Sequence, residues 1–586
     1  MKQFFKFMFA SMLGTFLLLM IFSMITVGIV AGIVAMAGQK EVVVSKNTVI
    51  LARFNKEIND RSTKSIMMMG YSGPEKNTGL NDILANLQKA KKDDNISGIY
   101  LDLSEIPAGI STVNEIRNGL LDFRKSGKFV WAYSETYTQK SYFLATAADR
   151  IFLNPEGIVE FKGLTSENVF IKGMLEKLDV KMQIIRHGKF KAATEPLFLD
   201  KMSPENRKQI TEIINDVWEE MTNAIVESRK IGKEQLNRIA DSLKIETAQD
   251  ALKYGLVDQL TYKDELITTL KKKLTIEEKK KIPFVTMENY TDVPAHKKSV
   301  TSKEKIAVVY ASGSIAGGEG DDQSIGSERI SKAIRKARED EAVKAIVFRV
   351  NSGGGSALAS DVIWREIDLA RQVKPVVASF GDVAGSGGYY IACAATKILA
   401  DPTSITGSIG VFGVVPNMQG LFNKKLGITF DEAMTNKNGD YIPVTKPLSS
   451  YQTLVIQRNV DQIYDVFTSK VAAGRKMTQT AVDSIGQGRI WSGIDAKAIG
   501  LVDEMGGLTK ALETAAELAK LKDYRLVSLP EQKEWFEELI DQLTGNEPST
   551  RIREFLGEDY TFYQYLKEIR EMKGVQARIL MVPKID

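Results

Sequence analysis

Three short stretches hold the residues whose types could do chemistry. GDVAGSGGYYIACAA, 381–395, sets Ser386 between glycines, after the strand-like PVVASF and before an apolar run with helical character. RVNSGGGS, 349–356, follows another β-branched run and carries three glycines in a row. Glycines after a strand let backbone N–H groups come close to a ligand, and acyl transfer needs such donors aimed at an oxyanion. HGKFKAATEPL, 187–197, holds Lys191 among small and apolar residues. A serine hydroxyl attacks poorly until a base removes its proton. Histidine is the usual base, but the chain has only two, His187 and His296, the second in a polar joint. That leaves little room for a Ser-His-Asp triad and favours a Ser–Lys pair, with His187 as second candidate base. The lysine makes a demand: with an ordinary pKa near 10.4, only about 1 amine in 2,500 is neutral at pH 7. Burial must lower that pKa by about 3 units before the amine can act as a base.

An internal repeat sharpens the choice. KAIVFRVNS, a helical run, PVVASF, the serine stretch and KILADP align without a gap on SGIYLDLSE, a helical run, FVWAYS, TQKSYFLATAADR and IFLNP. The offset is 247, as between Tyr142 and Tyr389 or Pro155 and Pro402; GLVD recurs at 255–258 and 500–503. Ser386 faces Gln139 under this alignment, and Gly354 faces Pro107, which has no N–H to give. A tight turn explains one GSGG by itself; losing the hydroxyl and the glycine together from one copy points to function. HGKFKAATEPL aligns in turn with NGDYIPVTKPL at an offset of 251, which sets Lys191 against Ile442. Here the first copy keeps the reactive group. Each copy therefore holds half of a dyad, as expected if a duplicated ancestor merged two sites into one between its halves.

The elements that must position these groups follow from pattern. In each copy short β-branched runs alternate with amphipathic runs, as IAVVYA, ERISKAIRKARE, AIVFRV, DVIWREIDLARQ and VVASF do in the second. That order predicts an α/β fold with a mostly parallel sheet. Lys2 and Lys6 precede a charge-free, largely apolar stretch from Phe7 to Gln39. It exceeds the ~20 residues a membrane helix needs and the ~7–15 of a signal-peptide core. The expected organisation is an anchor over 1–39, a lysine-supplying copy over 40–288, a linker over 289–305, a serine-supplying copy over 306–525 and a helical extension over 526–586. The lysines place residue 1 on the cytoplasmic side, and the rest beyond the membrane. Net charge is +4 and no basic cluster alternates with aromatics, which argues against nucleic acid. No histidine or cysteine cluster has metal-ligand spacing and no phosphate loop appears, so neither metal nor cofactor is expected. The lone cysteine, Cys393, cannot form an intrachain disulfide and reads as a buried small hydrophobe.

GSGGYY, RVNSGGGS, TGSIGVFG at 406–413 and KAATEPL at 191–197 together resemble the signal peptide peptidase A (protease IV) family in its long, membrane-anchored form. The resemblance covers nearly the whole chain. It implies two tandem copies of a fold similar to caseinolytic protease and crotonase, built from repeated ββα units. It also implies a serine endopeptidase that degrades cleaved hydrophobic signal peptides. Carried over by position, Ser386 is the nucleophile, Lys191 the base, and Ser408 a hydroxyl that orients the amine. Ser408 faces Phe161 in the first copy. The implied oxyanion donors are the N–H groups of Gly354 and Gly387. Gly353 departs from the family's usual proline in this loop, which leaves Gly355 as an alternative donor. A homotetramer anchored in the inner membrane, with its catalytic units on the periplasmic side and peptides as substrates, completes the implied picture. The rival readings are a crotonase-like acyl-CoA enzyme, which would need carboxylates, and a catalytically silent membrane scaffold.

Overall fold

The β-branched runs form the buried strands of two sheets with one strand order. The computed structural model describes residues 2–37, 42, 44–64, 76–294, 302–532 and 575–579. In the first copy the order is Gln259–Leu260, Arg150–Val159, Phe129–Tyr137, Ile96–Asp102, Thr48–Ala52 and Phe284–Thr286, all parallel. In the second copy Val376–Gly385, Val343–Ser352, Lys305–Ser312 and Arg525–Leu529 repeat that order from the third position onward. The single strand Arg150–Val159 has two short counterparts, Lys397–Ala400 and Ile405–Gly407, both parallel to Val376–Gly385. Helices cover these sheets, so the strands read as continuous apolar runs.

The repeat extends to details that explain the recurring GLVD. Helices Pro204–Arg229 and Ser450–Arg475 are each 26 residues long, each N-capped by a serine, and each ends at a lysine in the left-handed region. Arg229 donates two hydrogen bonds to Asp258, and Arg475 donates two to Asp503. Each aspartate also accepts a strand N–H, from Ile151 or Ile398. The GLVD aspartate thus ties the end of the long helix to the sheet in both copies.

Two of the contacts that join the copies bear on how the site is held. Buried Arg349 of the second copy donates to Asp60 and Glu115 of the first, each at 2.7 Å. A third, six-stranded sheet runs Ser324–Gly326, Ser314–Ala316, Gly354–Ser356, Gln576–Arg578, Phe412–Asn417, Lys181–Arg186. Its last strand belongs to the first copy and pairs antiparallel with Phe412–Asn417 over six residues.

The N-terminal apolar stretch is one helix, Lys2–Ala37. Its span Gln3–Gly28 has mean hydropathy 2.2 and none of its residues is buried. At 1.5 Å per residue, 26 residues exceed the ~30 Å hydrocarbon core of a bilayer. The C-terminal part differs from the expected helical extension where it is described. Arg525–Leu529 is a strand that completes the second sheet beside Lys305–Ser312, and Gln576–Arg578 is a strand of the third sheet. Residues 533–574 and 580–586, where the extension's helices were expected, lie outside the described residues. So do 295–301 of the expected linker, whose ends belong to helix Met287–Tyr290 and strand Lys305–Ser312.

Candidate functional site

Ser386 lies where strand Val376–Gly385 turns into the short helix Gly387–Ala392. Its φ of 56° and ψ of −116° are sparsely populated for a residue with a side chain, and such strain persists only where neighbours over-determine it. Here the Ser386 N–H donates to Gly407 O at 2.8 Å, and Tyr390 N–H donates to Ser386 O at 2.9 Å. Gly388 has to be glycine: a Cβ there would lie 2.4 Å from Ser352 O. The Tyr389 hydroxyl holds the helix by donating to Leu501 O, as Tyr142 does to Leu256 O in the first copy.

Lys191 arrives from the first copy, just beyond strand Lys181–Arg186. Arg186 donates to the Lys191 carbonyl, and Phe190 N–H donates to Gln487 O of the second copy. The lysine stem passes against two glycines, Gly410 of the TGSIGVFG stretch and Gly488, which the sequence patterns did not single out. A Cβ on Gly488 would lie 2.6 Å from Lys191 Cα, and one on Gly410 would lie 3.3 Å from Lys191 Cδ. The available signal was a further mismatch between the copies: at the GLVD offset of 245, Gly488 faces Leu243.

The Lys191 amine meets Ser386 Oγ at 2.7 Å, Ser408 Oγ at 3.0 Å and Ser408 O at 3.2 Å. Lys191 is 1% exposed and Ser386 0%. Burial with no paired carboxylate holds the Lys191 pKa well below its ordinary value. A neutral amine has two N–H groups and one lone pair. Ser408 O and Oγ can accept the two N–H groups, with Ser408 Oγ–H directed to Gly488 O at 3.4 Å. The lone pair is then left facing the Ser386 hydroxyl.

Gly354 and Gly387 meet beside Ser386: a Cβ on Gly354, whose φ is +97°, would lie 2.7 Å from Gly387 N. The Gly354 N–H donates to Ser352 Oγ at 3.1 Å. Gly355 pairs across to Ala577. His187 is engaged elsewhere. Its Nδ1 lies 2.8 Å from Asp461 Oδ1, and its ring stacks on Tyr464 at 3.9 Å.

The corresponding place in the first copy is plugged. The Gln139 amide accepts from Lys162 and Gly163 N–H and donates to Gly163 O, while Phe161 packs on Trp218. Ile442, opposite Lys191 in the repeat, is exposed. Cys393 is fully buried, its thiol pushed up to about 12 by desolvation. Among the described residues no group of histidine, cysteine and acidic side chains is arranged to hold a metal.

Comparison with known proteins agrees with this duplicated layout. The model for "Peptidase family S49" matches twice, over residues 122–277 and 368–522. The chain belongs to peptidase family S49. The chloroplastic serine protease SPPA of Arabidopsis thaliana is 32% identical over 544 residues, 92% of this chain and 78% of that protein. Protease 4 of Salmonella typhi is 37% identical over 478 residues, 79% of this chain and 76% of its own. Protease 4 of Haemophilus influenzae is 34% identical over 468 residues, 78% of this chain and 75% of its own. This S49 chain is a serine peptidase built from two tandem family units behind one apolar N-terminal helix. The scaffold and acyl-CoA readings give way to that assignment.

Proposed function

We infer that Ser386 and Lys191 form the catalytic dyad of this peptidase, one group from each copy. The observation that carries the reading is the 2.7 Å contact between Lys191 Nζ and Ser386 Oγ in a pocket that desolvates the amine. Neutral Lys191 takes the hydroxyl proton as Ser386 Oγ attacks the peptide carbonyl. Ser408 holds the amine by its two N–H groups so that the lone pair faces the serine. Gly387 N–H stabilises the oxyanion, joined by Gly354 N–H as that group turns from Ser352 Oγ. The Lys191 ammonium then returns the proton to the leaving amine, and water, deprotonated by the same lysine, hydrolyses the acyl-enzyme. Units close to 40–288 and 306–525 supply the lysine and the serine.

The substrates of this reading are hydrophobic signal peptides. A relative from Enterococcus faecium carries the name putative signal peptide peptidase SppA, at 37% identity over 196 residues. The N-terminal helix anchors the chain once in the inner membrane, Lys2 and Lys6 on the cytoplasmic side and the peptidase units on the periplasmic side. The assembly is a homotetramer. The repeat supports contact between copies of the chain. The strand pair that joins the two halves, 181–186 with 412–417, has counterparts at 432–437 and 165–170, where Met434 and Val169 are 47% and 63% exposed. A second chain, placed head to tail, would pair these segments in the same way.

A fluorophosphonate probe tests the dyad. Wild type is expected to label at Ser386, Ser386→Ala not at all, and Lys191→Ala about 10²–10⁴-fold more slowly. Failure of wild type to label at any pH from about 6 to 10, where a lysine base deprotonates, would end this reading.

A further inference from the structure

The strand Gln576–Arg578 belongs to the chain's own C-terminal segment, yet it lies across the catalytic serine. It runs antiparallel to Gly354–Ser356, with Gly354 opposite Arg578, Gly355 opposite Ala577 and Ser356 opposite Gln576. On its other side Gln576 pairs with Phe412. The ladder continues at both ends: Ile579 N–H donates to Gly353 O at 2.7 Å, and Ala357 N–H donates to Val575 O at 3.5 Å. Ala577 O lies at the junction of the two glycines, 2.1 Å from where a Gly354 Cβ would stand and 2.9 Å from that of Gly387. The Ile579 side chain reaches Gly385, next to the nucleophile, and packs with Ile210 and Ile490. Ala577 is fully buried, and Arg578 donates to Ser314 Oγ.

An extended chain added between two open strand edges is how many proteins hold peptides: main-chain bonds supply affinity and alternate side chains fill pockets. Resting on the dyad reading for where the substrate must go, we propose that Val575–Ile579 is an internal occupant of the substrate groove. It holds the peptidase closed until an incoming peptide displaces it. The chemistry of the displacement is strand exchange: a peptide takes over the main-chain bonds to Gly353, Gly355 and Ala357 and puts an apolar side chain where Ile579 lies. Because the occupant is tethered, it competes at a high effective concentration, and only peptides that fill the groove better enter. Ser386 and Lys191 are sealed from solvent with the strand in place, as a closed state requires.

A reversible lock tests this in the full chain. Ser356 and Gln576 are directly opposite in the ladder, and the only native cysteine is buried, so Ser356→Cys with Gln576→Cys can be bridged selectively. Peptide hydrolysis by the oxidised variant is expected to fall at least about tenfold below that of the same protein after dithiothreitol, since a tethered competitor then cannot leave. In the opposite sense, Ala577→Asp, which puts a charge into a buried position, is expected to expel the strand and lower KM for a peptide substrate. Equal hydrolysis by the oxidised and reduced forms, or an unchanged KM in Ala577→Asp, would overturn the proposal. Labelling of wild type by the small fluorophosphonate reports on the dyad separately. If it fails, a fluorescein-labelled Val-Gln-Ala-Arg-Ile peptide still decides the matter. Binding to Ala577→Asp but not to the oxidised lock supports an internal occupant; equal binding to both refutes it.

Discussion

A lysine amine in a dry pocket imposes a pH signature. The proposed dyad needs Lys191 neutral, so kcat/KM should rise with pH through a midpoint below the ordinary lysine range and level off above it. A profile flat from about pH 6 to 10 would count against a lysine base. Stability carries the same sign. The folded-state pKa is depressed, so between it and the unfolded value near 10.4 the unfolded chain binds more protons, and stability rises with pH across that window. Lys191→Met removes the titration. It should stabilise the protein against urea at neutral pH, by a margin that shrinks as pH climbs toward the unfolded lysine value. A margin that widened with pH would contradict a desolvated amine.

At the scale of elements, the loop around Gly488 positions the lysine. Gly488 has φ of +80° and is in contact with the Lys191 backbone. Gly488→Ala is therefore expected to shift the lysine by about 1 Å and to cost roughly 10²-fold in kcat, while circular dichroism stays native. Undiminished kcat would show that the loop does not set the amine's position. The serine turn and the glycine loop were legible in sequence because both interrupt a β-branched run at one offset. Gly488 was not, because its partner is a lysine distant in the chain. Arg525–Leu529, at the start of the segment expected as a helical extension, is a strand whose pairing with Lys305–Ser312 is a long-range contact that composition cannot register.

At the scale of the molecule, a site shared between two copies works only if the copies stay fixed against each other. Buried Arg349, bonded to Asp60 and Glu115 across the join, is part of that restraint. Arg349→Ala leaves two buried carboxylates without their cation and should cost about 3–5 kcal/mol in chemical denaturation. A loss below about 1 kcal/mol would place the restraint elsewhere, in the range of an exposed pair. The proposed head-to-tail contact predicts that Met434→Arg or Val169→Arg lowers the detergent-solubilised mass toward that of a single chain in mass photometry. An unchanged mass would remove 165–170 and 432–437 from the interface.

Duplication, the α/β class, the apolar N-terminal helix and the pairing of Lys191 in one copy with Ser386 in the other were all legible in sequence, because each leaves a local pattern or a mismatch between two aligned copies. Tertiary structure alone decided that Lys191 is dry, that both Ser408 oxygens lie within hydrogen-bond reach of its amine, and that the chain's own C-terminal strand pairs beside Ser386. Desolvation and strand pairing depend on which distant segments come into contact, and residue order does not encode those contacts locally.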